Sequence, residues 1–129
     1  MSEKVPRNGV SATALKALKS LEIVAAAQQP LSIQDLATSL KSDKATAYRM
    51  LLTLHKSGFV VRDEASKRYS LGYKVVSLSR NLLAENGISK LILNELQELS
   101  LKTKETLHYA VLDGVETVVI HRVKGTQLV

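Results

Sequence analysis

The stretch "SDKATAYRMLLTLHKSGFV", residues 42–60, holds a helix start, an apolar stripe and a stop. Ser42 is the expected N-cap, and Asp43 in the first turn suits the positive end of the helix dipole. Ala47, Met50, Leu51 and Leu54 are spaced 3, 1 and 3, which puts them on one helical face. Gly58 fits the left-handed position that closes a helix. At about 100° per residue, Ala45, Arg49, Leu52 and Lys56 fall nearly opposite the stripe. Lys44 and Tyr48 lie on one flank, Thr46 and Thr53 on the other. A merely solvated helix is satisfied with Glu and Lys outside. Here Arg49 suits bidentate contact with guanine or phosphate. The hydroxyls of Thr46 and Tyr48 suit phosphates or base edges. Ala45 is small enough to let the backbone approach a groove floor. The free N–H groups at the helix start favour a phosphate, with Asp43 opposing locally. Such a face alone is more often just solvated, so its neighbours decide.

Upstream, "LSIQDLATSL" (31–40) starts with Ser32 as N-cap and has Asp35 three residues on, a near capping box. Ile33, Leu36, Ala37 and Leu40 form its apolar face. About three or four residues join it to the next helix, the helix-turn-helix signature. A first helix is expected from Thr13, with Ala14, Leu18, Leu21 and Ala25 as its apolar face, Leu15 beside them, and Gln29-Pro30 as its end. Downstream the period drops to two: "FVVRDE" reads as a strand, "ASK" as a turn and "RYSLG" as a returning strand. That layout is a winged helix. Arg62, Lys67 and Arg68 make the wing basic and able to contact phosphates beside the helix.

Residues 1–12 read as a flexible leader and 13–72 as a winged helix-turn-helix DNA-binding domain. Residues 73–86 read as a linker or dimerisation helix. In that helix Val75, Leu78 and Leu82 share one side, which either seams a dimer or covers the winged-helix core. Asn86-Gly87 breaks it. Residues 87–129 hold another amphipathic helix, with Leu91, Ile92, Leu96 and Leu99 apolar, and a hairpin turning at Asp113-Gly114, expected as type I′. A lone two-stranded ribbon is marginal in water. The expectation is therefore a partner chain or, preferably, the front part of a longer protein.

Net charge is +6, and it is uneven. Residues 1–72 carry 11 Lys/Arg against 6 Asp/Glu, and 73–129 carry 7 against 6, so a polyanion is expected to bind the first half. There is no cysteine, which excludes disulfides, thiolate metal sites and a thiol nucleophile. Aromatic content is 4%, so the core must be aliphatic. No apolar run nears the roughly 18 to 20 residues that span a bilayer. "MSEKVPRNGVS" (1–11) has no apolar signal core, and a cytoplasmic location is the default expectation.

Other candidates have plainer explanations. His108 and His121 read as strand residues rather than metal ligands, with no third ligand at a suitable spacing. His55 reads as solvated, or as a phosphate contact. Glu95, Glu98 and Glu105 lack a nucleophile and read as a solvated face. Gly58, Gly72, Gly87 and Gly114 are single, each explained by a cap or turn. No catalytic constellation, cofactor motif or metal set is present in the sequence, so an enzyme is not expected.

"ATAYRMLLTLHKSGFV" followed by "RYSLGYKVVSLSRNLL" resembles the winged helix and linker of the IclR-type bacterial transcription regulators. The resemblance rests on Thr46, Arg49, Met50, Leu51, Leu54, Gly58 and Phe59, then Tyr69, Leu71 and Gly72. Met50 stands where Leu is usual. The resemblance extends over about residues 13 to 123 and is specific over 44–84. It implies a mainly α fold with short β: a winged helix-turn-helix, a linker helix, then the first helix and hairpin of a truncated GAF-like α/β effector domain. It further implies a sequence-specific regulator, repressor or activator, working as a homodimer or tetramer on double-stranded DNA with a palindromic operator. A small-molecule effector is implied only for the full-length form, and its binding residues are unknown. The expected DNA contacts are Lys44, Ala45, Thr46, Tyr48, Arg49, Thr53, Lys56, Arg62, Lys67 and Arg68. The expected scaffold is Ser32, Leu36, Ala37, Ser42, Ala47, Leu51, Leu54 and Gly58. The alternative is a winged helix used for protein–protein contact, for which outward Leu52 is the foothold.

Overall fold

The computed structural model describes residues 8–84 and 88–127. The Asn86-Gly87 break and most of the expected leader lie outside them. The chain divides into two compact units, Met1–Ser77 and Leu78–Val129.

In the first unit, α1 (Ala12–Ala26), α2 (Ile33–Leu40) and α3 (Lys44–Lys56) precede β1 (Val60–Arg62) and β2 (Tyr69–Leu71). The strands pair antiparallel with Val60 opposite Leu71 and Arg62 opposite Tyr69. The sequence does not announce a further backbone bridge. Leu31 and Tyr69 exchange hydrogen bonds of 2.8 and 2.7 Å, tying the segment before α2 to the wing. Val24, Leu36, Ala37, Ala47, Met50, Leu51, Leu54, Val60 and Tyr69 form the core. Each fully buried Leu there contributes on the order of 1.5–3 kcal/mol by leaving water.

α2 starts as expected. The Ser32 side chain accepts from the Asp35 amide, and the Asp35 carboxylate accepts from the Ser32 amide at 3.0 Å. Two expectations about these helices need correction. First, Ser42 does not cap α3. Asp43 does, its Oδ1 accepting from the Thr46 amide at 2.8 Å, while the Ser42 hydroxyl donates to the Asp43 carbonyl. A carboxylate three residues before Thr46 has the right reach; Ser42 is one residue too early. Second, α1 turns a different face inward. Ser20 and Val24 are buried, with Ala17, Leu21 and Ile23 packed beside them. Leu15 and Leu18 stand 51% and 58% exposed. Ser20 escapes a hydropathy count because its hydroxyl donates to the Lys16 carbonyl at 2.8 Å, satisfying the polar atom inside its own helix. His55 is exposed, as a solvated reading expects, while its Nδ1 lies 3.3 Å from the Val60 carbonyl and its ring meets Tyr69 edge-on.

The turn between α2 and α3 uses Lys41 in the left-handed region, φ 55°, where a glycine would have announced it. After α3, Gly58 takes φ 86° as expected. The Lys74 ammonium then donates to the Ser57 carbonyl at 2.6 Å and lies over the Phe59 ring. A cation thus meets the negative end of α3.

Helix α4 (Lys74–Ala84) leaves Leu78 and Leu82 60% and 73% exposed, while Val75 is half-buried. In the second unit α5 (Ile88–Thr103) packs on the hairpin of β3 (Leu107–Asp113) and β4 (Glu116–Val123). Ser100 is buried there, with a hydroxyl that donates to the Glu105 carbonyl at 2.8 Å. Leu91 and Leu99, two of its apolar residues, are exposed. The hairpin turn is displaced by one residue from the expectation. Asp113 pairs with Glu116, so Gly114-Val115 form the loop. Only Gly114 has a positive φ, 61°, whereas a type I′ turn needs two; one at the first position is the type II′ pattern.

Candidate nucleic-acid interface

The buried stripe of α3 fixes which residues face outward. With Ala47, Met50, Leu51 and Leu54 inside, Ala45, Arg49 and Lys56 are exposed along the opposite crest, and Leu52 is half-buried between them. The crest is cationic and polar rather than an apolar patch. Thr46 and Thr53 lie on one flank, which opens with Arg49 and Met50 into a cleft against Thr13 and Lys16 of α1. The Thr53 hydroxyl donates to the Arg49 carbonyl at 2.7 Å, leaving its lone pairs to accept. Lys44, Ala45 and Tyr48 line a second cleft against Ser32, Ile33 and Gln34 of α2 and Ser66 and Lys67 of the wing. Tyr48 is 47% exposed.

Asp43 sits at the α3 end of the first cleft. Hydrogen bonding from Thr46 holds its carboxyl below the usual range; the Arg49 and Lys16 charges act in the same direction, against partial desolvation. Its negative charge is thus spent on the α3 cap while Arg49 remains exposed beside it.

The wing cations differ from one another. Lys67 is exposed at the tip, with φ 57°. The turn that carries it is built by Asp63. Asp63 Oδ2 accepts from the Ser66 amide at 2.8 Å, its carbonyl accepts from the Lys67 amide, and its own amide donates to the Arg68 carbonyl. The Ser66 hydrogen bonds keep the Asp63 carboxyl below the usual range. Arg62 donates to Glu64 at 3.0 Å and its side chain is mostly covered. Arg68 donates to the Pro30 carbonyl at 3.2 Å and to Asp35 Oδ2 at 3.1 Å. So α3 brings together Lys44, Ala45, Thr46, Tyr48, Arg49, Thr53 and Lys56, the wing adds Lys67 next to Lys44 and Tyr48, and Arg62 and Arg68 are engaged within the chain. Sequence reading missed Lys74, the Leu31–Tyr69 bridge and the Arg68–Asp35 pair. The last two span more than thirty residues and leave no local pattern.

His121 stacks on Tyr109 across the hairpin, and among the described residues no His, Cys, Asp and Glu group could hold a metal. Among them, too, no helix is long and apolar enough to cross a membrane.

Residues 13–64 match the profile of the IclR helix-turn-helix domain. The glycerol operon regulatory protein of Streptomyces coelicolor is 32% identical over 108 residues, covering 84% of this chain and 42% of that protein. The HTH-type transcriptional regulator KdgR of Escherichia coli is 31% identical over 96 residues, covering 74% of this chain and 36% of its own length. The crystal structure of the Thermotoga maritima IclR superposes with a TM-score of 0.70 at 29% identity, over 91% of this chain and 47% of that one. The chain therefore spans less than half the length of these relatives. From its capped helix pair to its basic wing, the first unit carries the helix-turn-helix domain of the IclR-type transcription regulators.

Proposed function

We propose that this chain is the DNA-binding part of a transcription regulator that reads duplex DNA with α3 in the major groove. The observation that carries the reading is the outer crest of α3, exposed, cationic and free of core duties, inside the segment that matches the IclR helix-turn-helix domain. Arg49 contacts a guanine edge or a phosphate, and Thr46, Tyr48 and Thr53 offer hydroxyls on either flank. Ala45 allows close approach. Lys44, Lys56 and Lys67 neutralise backbone phosphates. The regulator acts in the cytoplasm as a homodimer on a palindromic operator, with a tetramer as its higher assembly. Exposed Leu78 and Leu82 on α4 support an apolar seam between copies. By analogy with the transcription regulators it resembles, the longer form answers to a small-molecule effector.

The test is selection of bound duplexes from a random pool with the 129-residue chain. A recovered palindrome gives the operator and supports the dimer. Arg49→Ala should then bind the selected site roughly 5- to 150-fold more weakly, the scale of one bidentate base contact. Affinity should also fall steeply with salt, the logarithmic slope being about −0.9 per phosphate neutralised. No binding at low salt, or an Arg49→Ala variant that binds like the parent, refutes the reading.

A further inference from the structure

Arg68 occupies the place in the wing where a cation is expected to meet phosphate, yet its guanidinium is already used. Nη1 donates both to the Pro30 carbonyl and to Asp35 Oδ2. That same carboxylate oxygen accepts from the Ser32 amide at 3.0 Å, closing the α2 capping box. The capping contacts with Ser32, helped by the Arg68 charge, hold the Asp35 carboxyl below its usual range against partial desolvation. Next to Arg68, Tyr69 exchanges two backbone hydrogen bonds with Leu31. The start of β2 is therefore fastened to the segment opening α2 by a planar side chain and a backbone bridge side by side.

The pair is about half exposed, with side chains 48% and 45% accessible. An ion pair so open to water contributes little to stability. Its effect is geometric. A guanidinium forked between a carbonyl and a carboxylate fixes direction as a lysine ammonium cannot. One residue before it, Lys67 sits at the rim of the cleft that Lys44, Ala45 and Tyr48 of α3 share with Gln34 of α2.

We infer that Arg68 is a positioning residue rather than a phosphate contact: it locks the wing onto the cap of α2, so that Lys67 faces Lys44 and Tyr48 across a cleft of fixed width. The inference rests on the DNA-binding reading above and refines how the wing serves it.

The experiment is a fluorescence-anisotropy titration of the full chain against a selected duplex, over a salt series, well below the unfolding temperature. The variants are Arg68→Gln, Arg68→Lys, Asp35→Ala and Lys67→Ala, each checked for folding by amide dispersion in NMR spectra. Arg68→Gln should weaken binding roughly 3- to 10-fold, the scale of coupling between contacting residues. Its salt slope should not change. Lys67→Ala should lower the slope by about 0.9. Arg68→Lys should fail to rescue, and Asp35→Ala should weaken binding like Arg68→Gln, the double variant being no worse than either single. A phosphate-contacting Arg68 gives the opposite pattern and overturns the inference. Arg68→Gln then loses about 0.9 in slope, Arg68→Lys binds nearly normally, and Asp35→Ala binds more tightly because a cation is released and an anion removed. Hydrogen exchange of the Leu31 and Tyr69 amides gives a readout without DNA. Faster exchange in Arg68→Gln is expected, and unchanged exchange overturns the latch. Parent protein that binds no duplex at low salt refutes the DNA reading itself, and the exchange rates still decide whether the latch exists.

Discussion

Gly72→Ala tests how the recognition helix is joined to the wing. Gly72 ends the returning strand, and its amide donates to the Phe59 carbonyl at 2.8 Å. A Cβ built there would lie 2.6 Å from the Gly58 carbonyl oxygen and 3.4 Å from the Phe59 carbonyl carbon and oxygen. All three obstacles are backbone atoms, and the first belongs to the left-handed residue that stops α3. No rotamer change relieves them, so the strand end and the helix stop must separate. Overpacking of this kind costs about 1–3 kcal/mol. For a domain of this size, 1 kcal/mol lowers Tm by roughly 4–8 °C. The separation should also pull Lys74 from the Ser57 carbonyl and the Phe59 ring. Lys74→Ala should consequently cost less in the Gly72→Ala background than alone, since both act on one contact. The assay is urea denaturation followed at the Leu51 and Val60 amides. A Gly72→Ala loss below about 0.5 kcal/mol, or full additivity with Lys74→Ala, would refute the reasoning.

Three further outcomes are expected. Leu51→Ala should cost about 2–5 kcal/mol, because the side chain is fully buried between α3 and its neighbours. Leu18→Ala should stay within roughly 0.5 kcal/mol, because the side chain is more exposed than buried; a large loss, read by the same denaturation, would restore the discarded face of α1. The third concerns pH. Asp35, Asp43 and Asp63 all have carboxyls held below 3.8 in the fold, chiefly by hydrogen bonds from Ser32, Thr46 and Ser66 respectively. A depressed folded value adds stability above the unfolded value, and that stability is lost as pH falls through the folded one. The urea midpoint should therefore show no loss from these groups between neutrality and about pH 5, then fall through the acid range as they protonate. Asp43→Asn should flatten that fall, and a midpoint that rises on acidification would contradict the assignment.

How much of this was legible in the sequence follows from the range of each contact. The α2 capping box is written within four residues and the α3 stripe within eight, and both stand as read. The α1 face was misread because periodicity counts leucines. Leu15 and Leu18 are exposed, while Ser20 is buried and satisfied within its own helix. The cap of α3 was misplaced by one residue because Ser42 and Asp43 are both competent, and only backbone geometry chooses between them. The hairpin turn slipped because Asp-Gly is a strong local signal, yet pairing of Asp113 with Glu116 moved the loop to Gly114-Val115. The engagement of Arg68 was invisible for a different reason. A surface arginine reads as a free cation until the chain folds a carboxylate against it from a distant segment.

That last point bears on how α3 can be read at all. Ala47, Met50, Leu51 and Leu54 bury the helix without help from the crest, and Asp43 caps it from outside the crest. Arg49 touches neither the core nor the wing latch, and no hydrogen bond that orders α3 ends on its guanidinium among the described residues. The crest can therefore change identity at little cost to folding. Arg49→Ala should shift the urea midpoint by no more than an ordinary surface substitution, within about 0.5 kcal/mol, while cutting discrimination between the selected duplex and a scrambled one by roughly 5- to 150-fold. Residues that carry the fold behave in the reverse manner. Leu51→Ala should lower stability yet leave the affinity of the remaining folded fraction for the selected duplex near that of the parent at low temperature. A variant set in which stability and discrimination fall together, position by position, would mean that one face of α3 performs both tasks, and the assignment of Arg49 and its neighbours to DNA would have to be given up.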